Sequence, residues 1–97
     1  MATVRFSERA LGDFERLFDF LVETDPALAR TAIERIAEAT RILAHHLLIG
    51  RPVRGALREL VISSGKTGYV ALYRLQRGLD EVQVLGVRHQ REAGFGE

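Results

Sequence analysis

The chain has no cysteine in its 97 residues, and no apolar run in it approaches the length of a membrane span. Without cysteine there is no disulfide framework, no thiolate nucleophile and no cysteine metal site. A membrane-spanning helix needs about 20 apolar residues, and residues 1–6 lack the apolar core of a secretory signal peptide. We therefore expect a cytoplasmic protein with no membrane partner.

The composition is that of a globular domain. Forty-six per cent of the residues are hydrophobic and 28% are charged. A chain of this length can bury about two-thirds of the surface that it exposes when unfolded. We therefore expect a single domain over residues 1–97 that folds without disulfide bonds or metal ions.

The net charge of +1 hides an asymmetry between the two halves of the chain. Residues 1–50 hold six Lys/Arg against eight Asp/Glu, and residues 51–97 hold eight against five. The basic balance of the second half is weaker than that of a dedicated DNA-binding domain. The charge count alone fits a solvated surface as well as a functional one.

The first half predicts two helices, over residues 7–24 and 26–47. Ser7 and Asp25 are suitable N-caps, and Pro26 is tolerated at a first helical position. Gly50, followed by proline after one residue, ends the helical pattern. The short connection predicts antiparallel neighbours. The expected apolar stripe of the first helix is Leu11, Phe14, Leu17, Phe18, Leu21 and Val22.

After Gly50 the apolar period changes from 3.6 to 2, which predicts strands over residues 57–62, 69–75 and 82–87. The turn clusters at 63–68 and 77–80 are short, so these strands should form an antiparallel meander. Residues 4–6 have short-strand character and could pair at one edge. The prediction is an α+β fold of order β-α-α-β-β-β, with a helical hairpin packed on one face of an antiparallel sheet.

This order of elements carries four recognisable runs. They are VRFS at residues 4–7, REL at 58–60, YVALYR at 69–74 and VRHQRE at 87–92. Together they resemble the RelE/ParE superfamily of bacterial toxins from type II toxin–antitoxin pairs, and the likeness covers nearly the whole chain. The tyrosine-rich strand followed by the basic ending is the most specific part, and the ParE-like members are the more similar.

The resemblance implies one of two mechanisms. RelE-like members cut messenger RNA on the ribosome with a basic constellation, whereas ParE-like members poison DNA gyrase. In both groups a cognate antitoxin wraps the toxin. Three positions depart from the nuclease pattern: Val70 stands where the central-strand arginine is expected, Glu59 where a basic residue is common, and Phe95 in place of a C-terminal tyrosine or histidine.

The candidate target-binding residues are Arg74, Arg88, His89 and Arg91. No catalytic residue is expected for a gyrase inhibitor; in a nuclease, Arg88, His89 and Arg91 would serve as charge stabilisers and acid or base. His89 could equally be a structural side chain.

No cofactor or metal ion is expected, because the adjacent His45 and His46 would point about 100° apart on a helix. Tyr69 and Tyr73 are predicted to be core or antitoxin-contact residues. The positions that bind the antitoxin are otherwise unassigned.

Three hypotheses follow. The leading one is a toxin that inhibits DNA gyrase and is neutralised by a cognate antitoxin. The alternative is a ribosome-dependent mRNA endonuclease, whose partners would be the ribosome and its message. The third is a degenerate family member that binds an antitoxin without toxicity.

Overall fold

The computed structural model describes residues 2–64, 67–76, 78 and 80–89. Seven elements follow one another along the chain. They are β1 (Thr3–Phe6), α1 (Glu8–Thr24), α2 (Pro26–Ile42), β2 (Arg51–Arg54), β3 (Leu57–Ser64), β4 (Thr67–Gln76) and β5 (Glu81–His89). The predicted α+β class, with a helical hairpin after a short first strand, is confirmed.

Both helices begin where the capping residues predict. The Ser7 hydroxyl oxygen accepts a hydrogen bond from the Ala10 amide at 3.1 Å. The Asp25 carboxylate accepts one from the Ala27 amide at 3.0 Å, and Pro26 opens α2. Each cap satisfies an amide that has no partner within its helix. The break between the helices therefore falls at Asp25, as expected.

The five strands form one mixed sheet in the order β1-β5-β4-β3-β2. The predicted meander is correct, since β3, β4 and β5 pair antiparallel in sequence. The expectation of a wholly antiparallel sheet needs correction, because β1 pairs with β5 in parallel. The chain between β1 and β5 contains both helices and three strands, and a long connection of this kind lets two neighbouring strands run in the same direction.

Strand β2 was not predicted. It covers Arg51–Arg54, every residue of it is exposed, and it pairs with the start of β3 across an irregular register. Pro52 has no amide to donate, so this segment has the weak strand signal typical of an edge position. Its presence matters for the site because it carries two arginines to the sheet.

The predicted end of α2 at residue 47 is wrong, because the helix ends at Ile42. The next residues form turns whose carbonyl groups accept bonds from elsewhere in the fold. The Ala44 carbonyl accepts from the Ala2 amide at 3.0 Å, and the Leu47 carbonyl accepts from the Tyr73 hydroxyl at 3.0 Å. Leu43 is fully buried, so the apolar period continues without a helix.

The core lies between the helices and one face of the sheet. Its largest fully buried members are Tyr69, Tyr73, Ile36, Leu43, Val82, Val84 and Val87. The predicted stripe of α1 is partly wrong: Leu17 and Leu21 are buried, with Ala10, whereas Leu11 and Phe18 are 56% and 41% exposed. The small Ala10 takes a core position that an apolar count assigns to Leu11. Among the described residues, no helix is long and apolar enough to cross a membrane.

Candidate functional site

The sheet face opposite the helices, here called the distal face, carries most of the sheet's charge. Cross-strand partners in a sheet share a face and successive residues alternate. Applied to the observed register, this rule places five described arginines and two glutamates on it. They are Arg5, Arg51, Arg54, Arg74, Arg88, Glu59 and Glu81. The part of the distal face that the structure describes is therefore cationic, although the whole chain is nearly neutral.

Glu59 is the centre of an ion cluster on this face. One of its carboxylate oxygens accepts from Arg51, at 2.9 Å from Nη2 and 3.3 Å from Nε. Its second oxygen lies 3.9 Å from Nη2 of Arg88. The Glu59 and Arg88 side chains are only 10% and 15% exposed, whereas that of Arg51 is 73% exposed. A carboxylate held between two guanidinium groups is charge-compensated where it is poorly solvated.

The hydrocarbon part of the distal face surrounds Val70 in the central strand. Val70 is 3% exposed, and its cross-strand partners are Val61 on β3 and Arg88 on β5. A valine here offers no hydrogen bond and no charge to a substrate. The position that the sequence singled out as departing from the nuclease pattern is thus a buried apolar position on the distal face.

The three predicted target-binding residues that the structure describes, Arg74, Arg88 and His89, are not brought to one point. Arg74 and Arg88 share the distal face, but Arg88 lies opposite Val70, and Arg74 is four residues further along β4. At about 3.3 Å per residue, their Cα atoms are roughly 13 Å apart along the strand direction. Arg91 lies outside the described residues.

His89 points to the other face. It pairs with Tyr69 across β4 and β5, and the two rings make an edge-to-face contact with centroids 5.6 Å apart. Tyr69 is 1% exposed and belongs to the core beneath the helices. The adjacent Arg88 and His89 therefore lie on opposite faces of β5, as alternation along a strand requires.

The segment that leads into β2 is fixed to the sheet by Tyr73 and Arg58. The Tyr73 hydroxyl accepts a hydrogen bond from the Gly50 amide at 2.8 Å and donates one to the Leu47 carbonyl at 3.0 Å. Nη1 of Arg58 donates to the Gly50 carbonyl at 2.7 Å. Because Arg51 follows Gly50 directly, these contacts position the Arg51 side chain next to Glu59.

The end of β5 that carries Arg88 is held by α1. Strand β5 has an irregularity opposite Leu72 and Tyr73, and β1 pairs only with its first part. Beyond that, the Ser7 hydroxyl donates to the Leu85 carbonyl at 3.2 Å, and the Asp13 carboxylate accepts from the Val87 amide at 2.9 Å. The side chains of Ser7, the N-cap of α1, and of Asp13 within α1 thus satisfy backbone groups that would otherwise lie at a strand edge.

The helical hairpin exposes apolar side chains of its own. Leu11 and Phe18 are seven residues apart on α1, so they share a side of the helix, and Phe20 is 66% exposed on another side. On α2, Leu28 is 40% exposed. Exposed apolar side chains that share a surface are typical of interaction sites.

Sequence reasoning missed Arg51 and Arg54 as members of the sheet and did not predict the ion pairs of Glu59. Without β2 in the prediction, Arg51 had no place in the sheet. Glu59 was therefore noted only as a departure from the nuclease pattern, without its arginine partner. The available signal was the RPVR segment itself, since arginine and proline are both common on exposed edge strands.

Comparison with known proteins assigns the class. The family model described as the ParE toxin of the type II toxin–antitoxin system parDE matches residues 4–94. The chain belongs to this family, within the RelE/ParE superfamily of type II toxins.

Two curated relatives come from Caulobacter vibrioides. Toxin RelE3 is 35% identical over 92 residues, which cover 95% of this chain and 98% of that protein. Toxin RelE1 is 40% identical over 73 residues, which cover 75% and 78% of the two chains.

Solved structures show the same fold. A chain of the chromosomal ParDE toxin–antitoxin system from P. aeruginosa superimposes with a TM-score of 0.77 at 22% identity, over 92% of this chain and 96% of that one. A chain of the RelBE2 toxin–antitoxin complex from Mycobacterium tuberculosis gives a TM-score of 0.61 at 26% identity, over 94% and 93%. The E. coli RelBE complex gives 0.60 at 17% identity, over 96% and 100%.

Proposed function

We propose that this chain is a type II toxin that inhibits DNA gyrase by binding it, and that a cognate antitoxin neutralises it. The observation that carries this proposal is the opposite orientation of Arg88 and His89 on β5. A ribonuclease of this fold would need a charge stabiliser and a proton donor at one phosphate. Adjacent side chains on opposite faces of a strand do not converge on one phosphate.

The environment of Val70 supports the same conclusion. The central strand offers a buried hydrocarbon side chain at the position of the expected arginine. Loss of one such electrostatic donor costs about a hundred- to a thousand-fold in rate. A target bound through surface contacts makes no such demand, and the exposed Arg74 and Arg54 fit protein recognition.

An antitoxin as partner is supported by two observations. Two of the similar solved structures are toxin–antitoxin complexes, and the third comes from a toxin–antitoxin system. The helical hairpin exposes Leu11 and Phe18 on one side of α1, where an apolar segment of another chain could bind. The antitoxin would then cover apolar surface that the isolated toxin leaves in water.

The alternative is a ribosome-dependent mRNA endonuclease that uses Arg88, His89 and Arg91. It is favoured by the names of the curated relatives, both of which are RelE toxins. Under this alternative, His89 would act from the helix side of the sheet.

Two assays on the same purified toxin separate these functions. We expect inhibition of gyrase-catalysed supercoiling and no cleavage of message on translating ribosomes. In the control, an excess of purified antitoxin is added to gyrase and toxin, and supercoiling should be restored. Ribosome-dependent cleavage that His89→Ala abolishes would contradict the proposal and establish the alternative.

A growth assay tests the third possibility, a member that binds antitoxin without toxicity. Induction of the toxin alone should stop growth, and co-induction of the antitoxin should restore it. Unimpaired growth despite accumulation of folded toxin would favour the degenerate member.

A further inference from the structure

We propose that Glu59 is a specificity residue that keeps nucleic-acid phosphate off the distal face. Its carboxylate occupies the position between Arg51 and Arg88 where a phosphate group would otherwise be bound. This inference extends the proposed function, because it explains how a cationic face can serve a protein target without binding RNA.

The geometry of the cluster is that of an occupied anion site. Arg51 directs two guanidinium nitrogens at one oxygen of Glu59, at 2.9 and 3.3 Å, and Arg88 approaches the other oxygen at 3.9 Å. Guanidinium groups bind carboxylates and phosphates through the same donor geometry. The chain therefore supplies its own anion to donors suited to a phosphate.

The burial of Glu59 and Arg88 makes this occupation persistent. Glu59 and Arg88 are 10% and 15% exposed, so both are held in a poorly solvated place where an unpaired charge would be costly. Arg51, at 73% exposure, covers the carboxylate from the solvent side. An incoming phosphate would have to displace a covalently tethered competitor and meet its negative charge.

Arg54 provides the internal comparison. It lies on the same strand and the same face as Arg51, since its cross-strand partner is Leu57, and it is exposed. No described carboxylate lies within ion-pair distance of Arg54. Two arginines on one short strand thus differ in whether an internal anion engages them.

The experiment measures binding of a fluorescent 12-nucleotide oligouridylate to the purified toxin by anisotropy at several salt concentrations. Glu59→Gln keeps an acceptor oxygen for Arg51 but removes the charge. We expect it to raise the affinity about tenfold at low salt, as removal of one charge close to a phosphate should. The dependence of log K on log salt should steepen by about 0.7 for each further phosphate that is neutralised.

Glu38→Gln is the matched control for net charge, because Glu38 is exposed on α2, away from the cluster. It should change the affinity less than twofold. Addition of Arg51→Ala to Glu59→Gln should remove most of the gain. A gain no larger than that of Glu38→Gln, in a variant with an unchanged melting temperature, would overturn the inference.

A comparison within the native background does not depend on the folding of the Glu59 variant. Arg54→Ala should weaken RNA binding more than Arg51→Ala, because Glu59 engages Arg51 but not Arg54. An equal or greater loss with Arg51→Ala would also overturn the inference. Neither measurement involves gyrase. Failure of the toxin to inhibit gyrase would therefore leave the RNA-binding result intact, and a negative RNA-binding result would leave the gyrase proposal intact.

Discussion

The Tyr73 hydroxyl and the Gly50 amide form a buried hydrogen bond of 2.8 Å between the central strand and the segment that precedes β2. The same hydroxyl donates to the Leu47 carbonyl, so one side chain satisfies two backbone groups of an irregular segment. Tyr73, the second tyrosine of the family-like YVALYR run, is thus a structural residue here. It positions the edge strand that carries Arg51.

Tyr73→Phe should lower the free energy of unfolding by about 1–3 kcal/mol, because it leaves a buried amide and a carbonyl without their partner. Urea denaturation measures the change. Tyr69→Phe is the matched control, since Tyr69 is equally buried but no described residue forms a hydrogen bond with its hydroxyl. An equal loss in both variants would contradict the role assigned to the Tyr73 hydroxyl.

Gly50→Ala should destabilise the protein by about 1–3 kcal/mol through steric overlap. A Cβ atom at Gly50 would lie 2.6 Å from Tyr73 Cε1 and 2.7 Å from the Glu59 carbonyl oxygen. Gly12→Ala is the opposite case, because Gly12 lies in α1 with nothing within 4 Å of the added atom. It should stabilise the helix by about 0.5–1 kcal/mol. Thermal unfolding should therefore give shifts of opposite sign, and shifts of the same sign would contradict the packing described.

The parts of the fold that were predictable from the sequence are those fixed by local chemistry. Ser7 and Asp25 cap helices through amides two or three residues away, so the helix starts depend on neighbours in sequence. The end of α2 depends on bonds to Ala2 and Tyr73, which are far away in sequence. The predicted helix therefore extended beyond Ile42, into residues whose backbone forms turns instead.

Asp13→Ala should free the β5 edge near the ion cluster. The Asp13 carboxylate accepts the Val87 amide at 2.9 Å, in the part of β5 that β1 does not cover. We expect a loss of about 1–3 kcal/mol in unfolding free energy and faster hydrogen exchange of the Val87 amide. Asp19→Ala, an exposed carboxylate on the same helix, is the control and should change neither. Unchanged protection of the Val87 amide in Asp13→Ala would contradict this contact.

The candidate site was less predictable than the fold, because it depends on register. The pairing of Arg51 with Glu59 requires β2, whose four residues give no alternating pattern. The placement of His89 away from Arg74 follows from strand alternation and from the irregularity in β5. The sequence identified which residues near the end of the chain carry charge but could not assign them to a face.

Arg74→Glu should weaken gyrase inhibition without unfolding the protein. Arg74 is exposed on the distal face, and its Nε donates only to the neighbouring Gln83 at 3.3 Å among the described residues. We expect the concentration for half-inhibition of supercoiling to rise about five- to tenfold, the effect of losing about 1 kcal/mol at an interface arginine. Arg35→Glu makes the same charge change on an exposed position of α2 and is the control. Inhibition by Arg74→Glu as strong as that by the unchanged toxin would exclude Arg74 from the gyrase-binding surface. An equal loss in both would indicate that inhibition depends on net charge rather than on the distal face.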